Sequence, residues 1–444
     1  MKLKPLAAIA AVVGLAILPM TANAAPPKIL WVSPAPVVVA SAVPNTATPA
    51  VTSTGCATAA YHTIQSAISA APAGATIDIC AGTYVEQLTI TQSVSLVAVG
   101  AVTVELPASP ANATTLCDTA TGTASYQPDQ DGVVICGVAT VNVTGLTVDA
   151  AWPTSTCDDS LYGILVAGGA TLNFTNSAVT AAGAVPLNGC QGGVGIQVGM
   201  AWTTPVEVGH ANLLHDTISG YQKNGITVDG SGSSANIDAT TVTGIGQTPQ
   251  IAQNGIQISN GAFGTIVGST ITGNECDDTT GGCGPDVLSG VTSVGVLFYG
   301  PAAGSSVTAS NISGNDTGVY NAEDTATAPR LPAVSINLDT FTNDRYEGIE
   351  LDQGWASITG DSINGGEAGI AVLQYGGQSY GANGTATLDA IRNESIAAVD
   401  VASDQAAGDH HGTLSVTLSD LRGNAARVLN NNPSDYTVLQ LLDL

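Results

Sequence analysis

Two acidic residues, Glu350 and Asp352, alternate with apolar residues in the segment Gly348-Ile349-Glu350-Leu351-Asp352. Such alternation predicts a β-strand in which Ile349 and Leu351 face the interior and both carboxylates face outward. Side chains two residues apart on one face of a strand lie about 6.5–7 Å apart. Inverting glycosidases separate their two carboxyl groups by about 6.5–9.5 Å to admit a water molecule. The pair is therefore our candidate for the acid and the base in the hydrolysis of a glycosidic bond.

The residues around this pair supply further charge and flat aromatic surfaces. Arg345 is one of five arginines in the chain, and we expect it to act with the two carboxylates. Aromatic side chains nearby are suited to stacking on sugar rings. These candidates for substrate binding are Tyr299, Tyr320, Tyr346, Trp355 and Tyr375. The alternative is a solvated acidic strand, because a chain with 35 acidic residues brings some of them together by chance.

A second acidic cluster lies in and beside the segment between Cys276 and Cys283. Its members are Glu275, Asp277, Asp278 and Asp286. Several hard oxygen ligands in one loop can bind calcium, although no EF-hand pattern is present. Calcium is the candidate cofactor for this loop, and the default interpretation is a polar loop that a disulfide between the two cysteines closes.

The elements that must position these side chains repeat along the chain. One half of the repeat is glycine followed by a branched apolar residue, and successive copies lie 21 to 40 residues apart, most of them near 30. These pairs are Gly163-Ile164, Gly195-Ile196, Gly225-Ile226, Gly255-Ile256, Gly295-Val296, Gly318-Val319, Gly348-Ile349 and Gly369-Ile370. The other half is a polar pair, an apolar residue and a turn, as in Asp216-Thr217-Ile218-Ser219-Gly220. A strand of about four residues cannot bury its apolar face alone, so we expect successive coils to stack around one interior.

Aligning the coils by their glycine pairs predicts two outward-facing columns of side chains, both exposed. The first column contains Leu165, Gln197, Thr227, Gln257, Leu297, Tyr320, Glu350 and Ala371. The second contains Ala167, Gly199, Asp229, Ser259, Tyr299, Ala322, Asp352 and Leu373. The alignment therefore places the candidate carboxylates beside two tyrosines on one sheet surface.

Corners and longer coils complete the predicted architecture. Asparagines at corners suit left-handed turn conformations and can stack into a hydrogen-bonded ladder, as we expect for Asn224, Asn254, Asn274 and Asn315. Longer coils mark loops that flank a functional groove in a solenoid. These loops are 117–130, 157–159, 187–193, 202–208, 276–288 and 374–384.

The start of the repeating region carries a resemblance to a known superfamily. Residues 62–90, HTIQSAISAAPAGATIDICAGTYVEQLTI, combine a short helix with Ile64, Ala67, Ile68 and Ala71 on one face and two following strands. This segment resembles the opening of pectin-lyase-like proteins, including pectin methylesterases. The resemblance implies an all-β, single-stranded right-handed parallel β-helix with a short N-terminal capping helix. It transfers no catalytic residue, because the signatures of pectin methylesterases and polygalacturonases are missing.

Composition and the N-terminus predict export. Residues 1–24 have the pattern of a signal peptide, residues 25–55 that of a Pro/Ala/Thr-rich linker or arm, and residues 56–444 form the predicted β-helix domain. Eight cysteines in an exported chain favour disulfides, and free thiols are the alternative. Sequence order suggests the pairs Cys56 with Cys80, Cys117 with Cys136, Cys157 with Cys190, and Cys276 with Cys283.

Charge narrows the classes of partner. The formal net charge of −26 argues against nucleic acid, and it also repels anionic polysaccharide unless a cation or a local basic site intervenes. No segment after the leader is apolar for long enough to span a bilayer. We therefore expect a secreted monomer whose partner is a polysaccharide or a cell-surface glycan. Cleavage of that glycan by a lyase or hydrolase and non-catalytic adhesion or matrix binding both stay open.

Overall fold

The computed structural model describes residues 28–34, 55–111, 129–153, 157, 160–277, 279, 283–284, 292–322, 334–374, 382–403, 412–431, 433 and 436–441. The predicted signal peptide lies outside these residues. So do Cys117, Asp278, Asp286 and Tyr375. In this part of the chain no helix is long and apolar enough to cross a membrane.

The described residues form the predicted right-handed parallel β-helix, in which every strand pairs in parallel with a strand about one coil away. The strands line three faces. The first face contains β3 (Leu88–Ile90), β5 (Asp129–Ile135), β7 (Ser160–Val166), β10 (Val194–Val198), β13 (Asn224–Asp229), β16 (Asn254–Ser259), β19 (Val294–Tyr299), β22 (Thr317–Ala322), β25 (Glu347–Asp352) and β31 (Val428–Asn430).

The second face follows the first along each coil. It contains β1 (Ile29–Val32), β8 (Ala170–Thr175), β11 (Gly209–Leu214), β14 (Ser234–Asp238), β17 (Phe263–Val267), β20 (Ser305–Thr308), β23 (Val334–Asn337), β26 (Trp355–Thr359), β28 (Asn383–Thr387), β30 (Gly412–Thr417) and β32 (Tyr436–Leu441). The third face contains β9 (Ala178–Ala184), β12 (Thr217–Ser219), β15 (Thr241–Thr248), β18 (Thr270–Cys276), β21 (Asn311–Ser313) and β24 (Thr340–Thr342).

Five long strands turn a corner and so belong to two faces. Three of them run from the second face to the third: β2 (Ala75–Val85), β4 (Val94–Glu105) and β6 (Thr140–Trp152). The other two run from the third face to the first: β27 (Ser362–Gln374) and β29 (Ala390–Ser403). The three faces enclose one continuous apolar interior, to which each coil contributes isoleucine and valine side chains.

The repeated glycine has a steric reason. Ile196, Ile226 and Ile256 pair in register and are fully buried. A Cβ atom on the adjacent Gly225 would lie 2.6 Å from the backbone oxygen of Gly255 in the next coil. No flexible side chain can yield at this contact, so glycine allows the stacked strands to approach closely.

A ladder of hydroxyl and carboxyl groups follows the corner between the second and third faces. The side chain at this position accepts the backbone N–H of its counterpart one coil earlier, at 2.7–3.4 Å. Its members are Ser177, Asp216, Thr240, Ser269, Ser310, Asp339, Asp361, Asp389 and Ser419. Most of these residues are the first of the polar pair in the repeat, so this pair has the role of joining coils.

The asparagine prediction is right about hydrogen bonds and wrong about backbone conformation. Asn254 donates to Asn224 at 3.1 Å, and Asn274 donates to Asn315 at 2.8 Å. None of the four asparagines has a positive φ. The left-handed residue is instead the one before each ladder side chain, for example Leu338 with φ 59°, because the chain has to reverse direction at that point.

The N-terminal helix caps the interior as predicted. Helix α1 (Ile64–Ala70) follows a short 3-10 turn (Cys56–Thr58), and its apolar side joins the core. The Glu86 carboxylate accepts the N–H groups of Ile64 and Gln65 at 2.7 and 3.0 Å, which satisfies two free donors of the first turn. Strand β1 lies within the segment predicted to be an arm, yet it pairs with β2 and buries Leu30. This part of the segment therefore belongs to the β-helix.

Three of the four suggested disulfides are present. They join Cys56 to Cys80, Cys157 to Cys190 and Cys276 to Cys283. Cys136 is also disulfide-bonded, while Cys117 lies outside the described residues.

Candidate functional site

The register of the first predicted column is confirmed. Thr227 pairs with Gln197 on one side and with Gln257 on the other, and Tyr320 pairs with Leu297 and Glu350 in the same way. The glycine pairs were therefore a correct guide to the alignment of the coils, and the column runs along the outer surface of the first face.

The prediction that this column is exposed is wrong. Glu350 has a relative exposure of 0%, Gln197 of 1% and Tyr320 of 5%, and only Gln257 and Leu297 are half-buried. Strand alternation decides which side of a sheet a residue faces, but it cannot show whether other parts of the chain cover that side.

The predicted acid and base lie in the covered part of the first face. The Tyr320 hydroxyl donates to Oδ2 of Asp352 at 3.0 Å, and Asp352 is 7% exposed. Tyr320 packs with Val294 and Ala322, and the half-buried Tyr299 lies against the same apolar cluster. These two tyrosines therefore contribute to packing, and the catalytic role of the carboxylates stays a prediction.

Arg345 lies at the corner before β25, beside residues that were assigned to the other cluster. Its guanidinium lies 3.4 Å from Oδ1 of Asp316 and 3.7 Å from Oε2 of Glu275, and it is 5.6 Å from the ring centre of Tyr346. Burial raises the pKa of Asp316 to about 6, against hydrogen bonds from the N–H groups of Ser293 and Cys276 and the nearby guanidinium. The corner is thus a partly buried ion-pair cluster.

Calcium binding in the cysteine loop stays a prediction. Glu275 forms an ion pair with Arg345, so the guanidinium competes with any metal ion for the same carboxylate. Oδ1 of Asp277 accepts the N–H of Thr279 at 2.9 Å. The described residues contain no group of three or more metal-ligating side chains, and two of the four predicted ligands lie beyond them.

Trp355 and Tyr346 complete the predicted substrate-binding set within the described chain. Trp355 is half-buried at the start of β26, and its backbone oxygen accepts from Asn321 at 3.1 Å. Tyr346 is 8% exposed. Both residues are less exposed than Trp202, which is 48% exposed.

A pocket of about 290 Å³ opens on the first face, several coils before Glu350. Strands β7, β10, β13 and β16 form its floor, and segments at residues 157, 191–192 and 202 form its walls. Its lining consists of Cys157, Ser160, Tyr162, Gln191, Gly192, Val194, Gln197, Trp202, Lys223, Asn224, Thr227 and Gln257. Three of the loops predicted to flank a groove therefore contribute to its walls.

Amide groups on the pocket floor are held in place by one another. Nδ2 of Asn224 donates to Oγ1 of Thr227 at 2.9 Å and to Oε1 of Gln257 at 3.0 Å. Nε2 of Gln197 donates to the backbone oxygen of Gly199 at 2.7 Å. Gln197, Asn224 and Thr227 are 1–5% exposed and Gln257 is half-buried, so the floor is an ordered polar array in which Gln257 is the most accessible member.

Two residues give this pocket its chemical character. Trp202 is 48% exposed, an unusual position for such a large apolar ring. Lys223 lies at the corner before β13, and Nζ donates to the backbone oxygen of Ala252 at 2.9 Å. Burial lowers the pKa of Lys223 to about 8. The pocket thus combines a flat aromatic surface, fixed amides and a cation.

Sequence reasoning missed Lys223 and Trp202 as site residues. The signal was present, because Lys223 immediately precedes the pair Asn224-Gly225 of the repeat and Trp202 begins a predicted flanking loop. Attention to paired carboxylates gave more weight to Glu350 than to a single lysine on a neighbouring part of the same face.

Comparison with solved structures establishes the architecture. The Agl-KA catalytic domain aligns with a TM-score of 0.50 and 12% identity over 84% of this chain and 64% of that one. The periplasmic alginate epimerase AlgG aligns with a TM-score of 0.46 and 10% identity over 80% of this chain and 78% of that one. The chain has the right-handed parallel β-helix fold.

The resemblance to pectin-lyase-like proteins is thus confirmed at the level of the fold. A pectate lyase, Pel9A, also aligns, with a TM-score of 0.34 and 11% identity over 92% of this chain and 78% of that one. No protein-family description and no curated protein matches the chain in sequence. At these identities the fold alone is shared, and function has to be argued from the site.

Proposed function

We propose that this protein is a secreted carbohydrate-active β-helix that binds a polysaccharide along its first face, with the Lys223 pocket as the binding centre. The observation that carries the proposal is the combination in one pocket of an exposed Trp202 ring with fixed amide and hydroxyl groups. Aromatic rings stack on the apolar faces of sugars, while amides and hydroxyls hydrogen-bond to sugar hydroxyl groups.

The shape of the fold supports a polymer rather than a small metabolite. Stacked strands lie about 4.8 Å apart, so Gln257 on the pocket floor and Glu350, three strands further, are separated by about 14 Å along one face. A chain of several sugar units bound along this direction extends from the pocket toward the predicted carboxylate pair. Two of the solved structures that align with this chain are named as an alginate epimerase and a pectate lyase. A polysaccharide ligand is consistent with these names.

Export is supported by the cysteines. Three disulfides join described residues, and bonds of this kind persist in oxidising compartments outside the cytoplasm. Together with the signal-peptide pattern of residues 1–24, they support a proposed binding event at the cell envelope or beyond it.

The stronger form of this proposal includes catalysis. In that form Glu350 and Asp352 are the acid and the base for hydrolysis, and Arg345 assists them. The full burial of Glu350 favours the second candidate function, in which the protein binds a glycan without cleaving it. A general acid or base has to come within hydrogen-bond distance of substrate, so Glu350 has to become accessible before this pair can act.

A test combines binding and turnover on one panel of soluble polysaccharides. Retention in affinity electrophoresis measures binding, while reducing ends and the absorbance of unsaturated uronates measure hydrolysis and elimination. Trp202→Ala is expected to weaken retention about 5- to 30-fold, because a ring that contributes about 1–2 kcal/mol of contact is lost. Trp31→Ala is the matched control, since that half-buried tryptophan lies in β1, at the N-terminal end of the β-helix and outside the pocket. Equal retention of the wild type and Trp202→Ala on every glycan would refute the assignment of the pocket.

A further inference from the structure

The pocket has an unusual charge for this protein. The chain has 35 acidic and only 9 basic residues, and its formal net charge is −26. None of the described residues that line the pocket is Asp or Glu, and Lys223 is the charged residue among them. We propose that the pocket selects a sugar unit that carries a carboxylate, and that Lys223 is the residue that binds this group. The inference rests on the proposed glycan-binding function and names its substrate class.

The position of Lys223 leaves its charge available to a ligand. An ammonium group has three N–H donors, and one of them is used by the backbone oxygen of Ala252. Within the described chain Lys223 forms no ion pair, whereas Arg345, Arg392 and Arg422 each lie beside carboxylates. A half-buried cation with no counter-charge among the described residues is incompletely stabilised, and an incoming carboxylate supplies that charge.

The acidic residue next along the pocket floor is already satisfied. Asp229 lies two residues beyond Thr227 on the same side of β13, and its carboxylate accepts hydrogen bonds from three donors. Oδ1 accepts from Ser259 at 2.8 Å and Asn260 at 2.7 Å, and Oδ2 accepts from the N–H of Ala201 at 2.6 Å. These hydrogen bonds stabilise the carboxylate and support the wall formed by residue 201, and in the described chain Asp229 forms no ion pair with Lys223.

The remaining lining fits the neutral part of a sugar acid. The amides of Gln197, Asn224 and Gln257 lie on the floor, and Trp202 lies at the wall. A carboxylate on Lys223 therefore fixes one end of the sugar, hydroxyl groups meet the amides, and the ring stacks on indole. In a protein that repels anions as a whole, this local cation decides which unit of an acidic polymer occupies the pocket.

Matched probes isolate the role of the carboxylate. The probes are trisaccharides of galacturonate, mannuronate and glucuronate, each compared with its methyl ester, and isothermal titration calorimetry measures the dissociation constants. For whichever acid binds, Lys223→Met is expected to weaken binding about 10- to 100-fold, because a charge-assisted hydrogen bond is lost. Binding of the ester should change less than threefold. Lys223→Arg is expected to restore most of the affinity for the acid.

The control for net charge is Lys28→Met, which removes a cation from an exposed position near β1. This variant should bind both forms as the wild type does. Equal affinity of the wild type for acid and ester, or an unchanged affinity of Lys223→Met for the acid, would overturn the inference. If the wild type instead binds neutral oligosaccharides through Trp202, only the carboxylate assignment fails. If it binds no glycan at all, the proposed function fails with it.

Discussion

Replacing Asp361 with serine should stabilise the protein at neutral pH and not at acidic pH. Asp361 is the middle one of three consecutive aspartates in the ladder, between Asp339 and Asp389. Its pKa is raised to about 8, chiefly by burial; the hydrogen bond from the Asp339 N–H acts against this rise, and the charges of the two neighbouring aspartates add to it. Each of the neighbours has a raised pKa as well, about 7 for Asp339 and about 6 for Asp389, chiefly because of burial.

The sign follows from proton binding. Below pH 3.8, the ordinary pKa of the carboxyl, Asp361 is protonated in both the folded and the unfolded chain and its ionisation does not affect stability. Between pH 3.8 and about 8 the unfolded chain releases the proton while the folded chain keeps it, so stability falls as the pH rises. At pH 7 this difference amounts to roughly 4 kcal/mol, from about 1.36 kcal/mol for each pH unit above 3.8.

Serine is the replacement that the ladder itself uses. Ser310 accepts the N–H of Ser269 and donates to the backbone oxygen of Thr308 at 3.2 Å. In Asp361→Ser the hydroxyl can accept the Asp339 N–H in the same way, and the hydrogen bond from the Thr359 N–H, 3.2 Å in the native protein, is lost at about 1 kcal/mol. The expected net gain is about 3 kcal/mol at pH 7, with a loss of about 1 kcal/mol at pH 4.

Guanidinium chloride unfolding followed by far-ultraviolet circular dichroism measures the effect at pH 4 and pH 7. Asp238→Ser controls for net charge, because it removes an exposed carboxylate from β14. The unfolding midpoint of Asp361→Ser relative to wild type should rise between the two pH values, while that of the control should change little. A midpoint shift of the same size and sign at both pH values would show that the ionisation of Asp361 does not govern stability here.

Three further perturbations test the coil contacts, the predicted chemistry and the predicted metal. Gly225→Ala should lower the free energy of unfolding by about 2–4 kcal/mol in the same unfolding assay, because the backbone must shift. The control is Gly55→Ala, which has nothing within 4 Å of its Cβ position and should change this free energy by less than about 1 kcal/mol. Equal effects of the two substitutions would contradict the steric argument. Glu350→Gln should reduce any polysaccharide turnover at least 100-fold while leaving affinity electrophoresis unchanged, and full activity of this variant would exclude Glu350 as acid or base. If the cysteine loop binds calcium, the midpoint of thermal unfolding of the wild type should be higher with calcium than with chelator, and this difference should be smaller for Asp277→Asn. The same difference in both proteins, or no difference in the wild type, would argue against the site.

Local chemistry made the scaffold predictable from the sequence. The Gly-Ile pairs gave the coil period and the register, because a stacked strand places glycine against the backbone of the next coil at every turn. The first residue of the polar pair marked the corner ladder, although its role in joining coils emerged only from the hydrogen bonds. Helix α1 was predictable in the same way, since four apolar residues on one side of a short helix require a core to cover.

The site was less predictable, and Glu350 and Lys223 show why. Alternation within one strand determined that Glu350 faces outward, but its burial is a result of tertiary packing that alternation does not describe. Lys223 has no pattern of its own in the sequence. It became a candidate because the segments at residues 157 and 191–192 enclose it together with Trp202.

By itself, the sequence determined the stacked coils, the capping helix and which residues face outward, because these depend on contacts within a strand or between equivalent positions of adjacent coils. Only the tertiary structure decided that the open part of the first face lies around Lys223 and that the carboxylates of Glu350 and Asp352 are covered. The physical reason is that exposure, charge compensation and pocket shape are set by loops far apart in the chain, whose arrangement no local periodicity encodes.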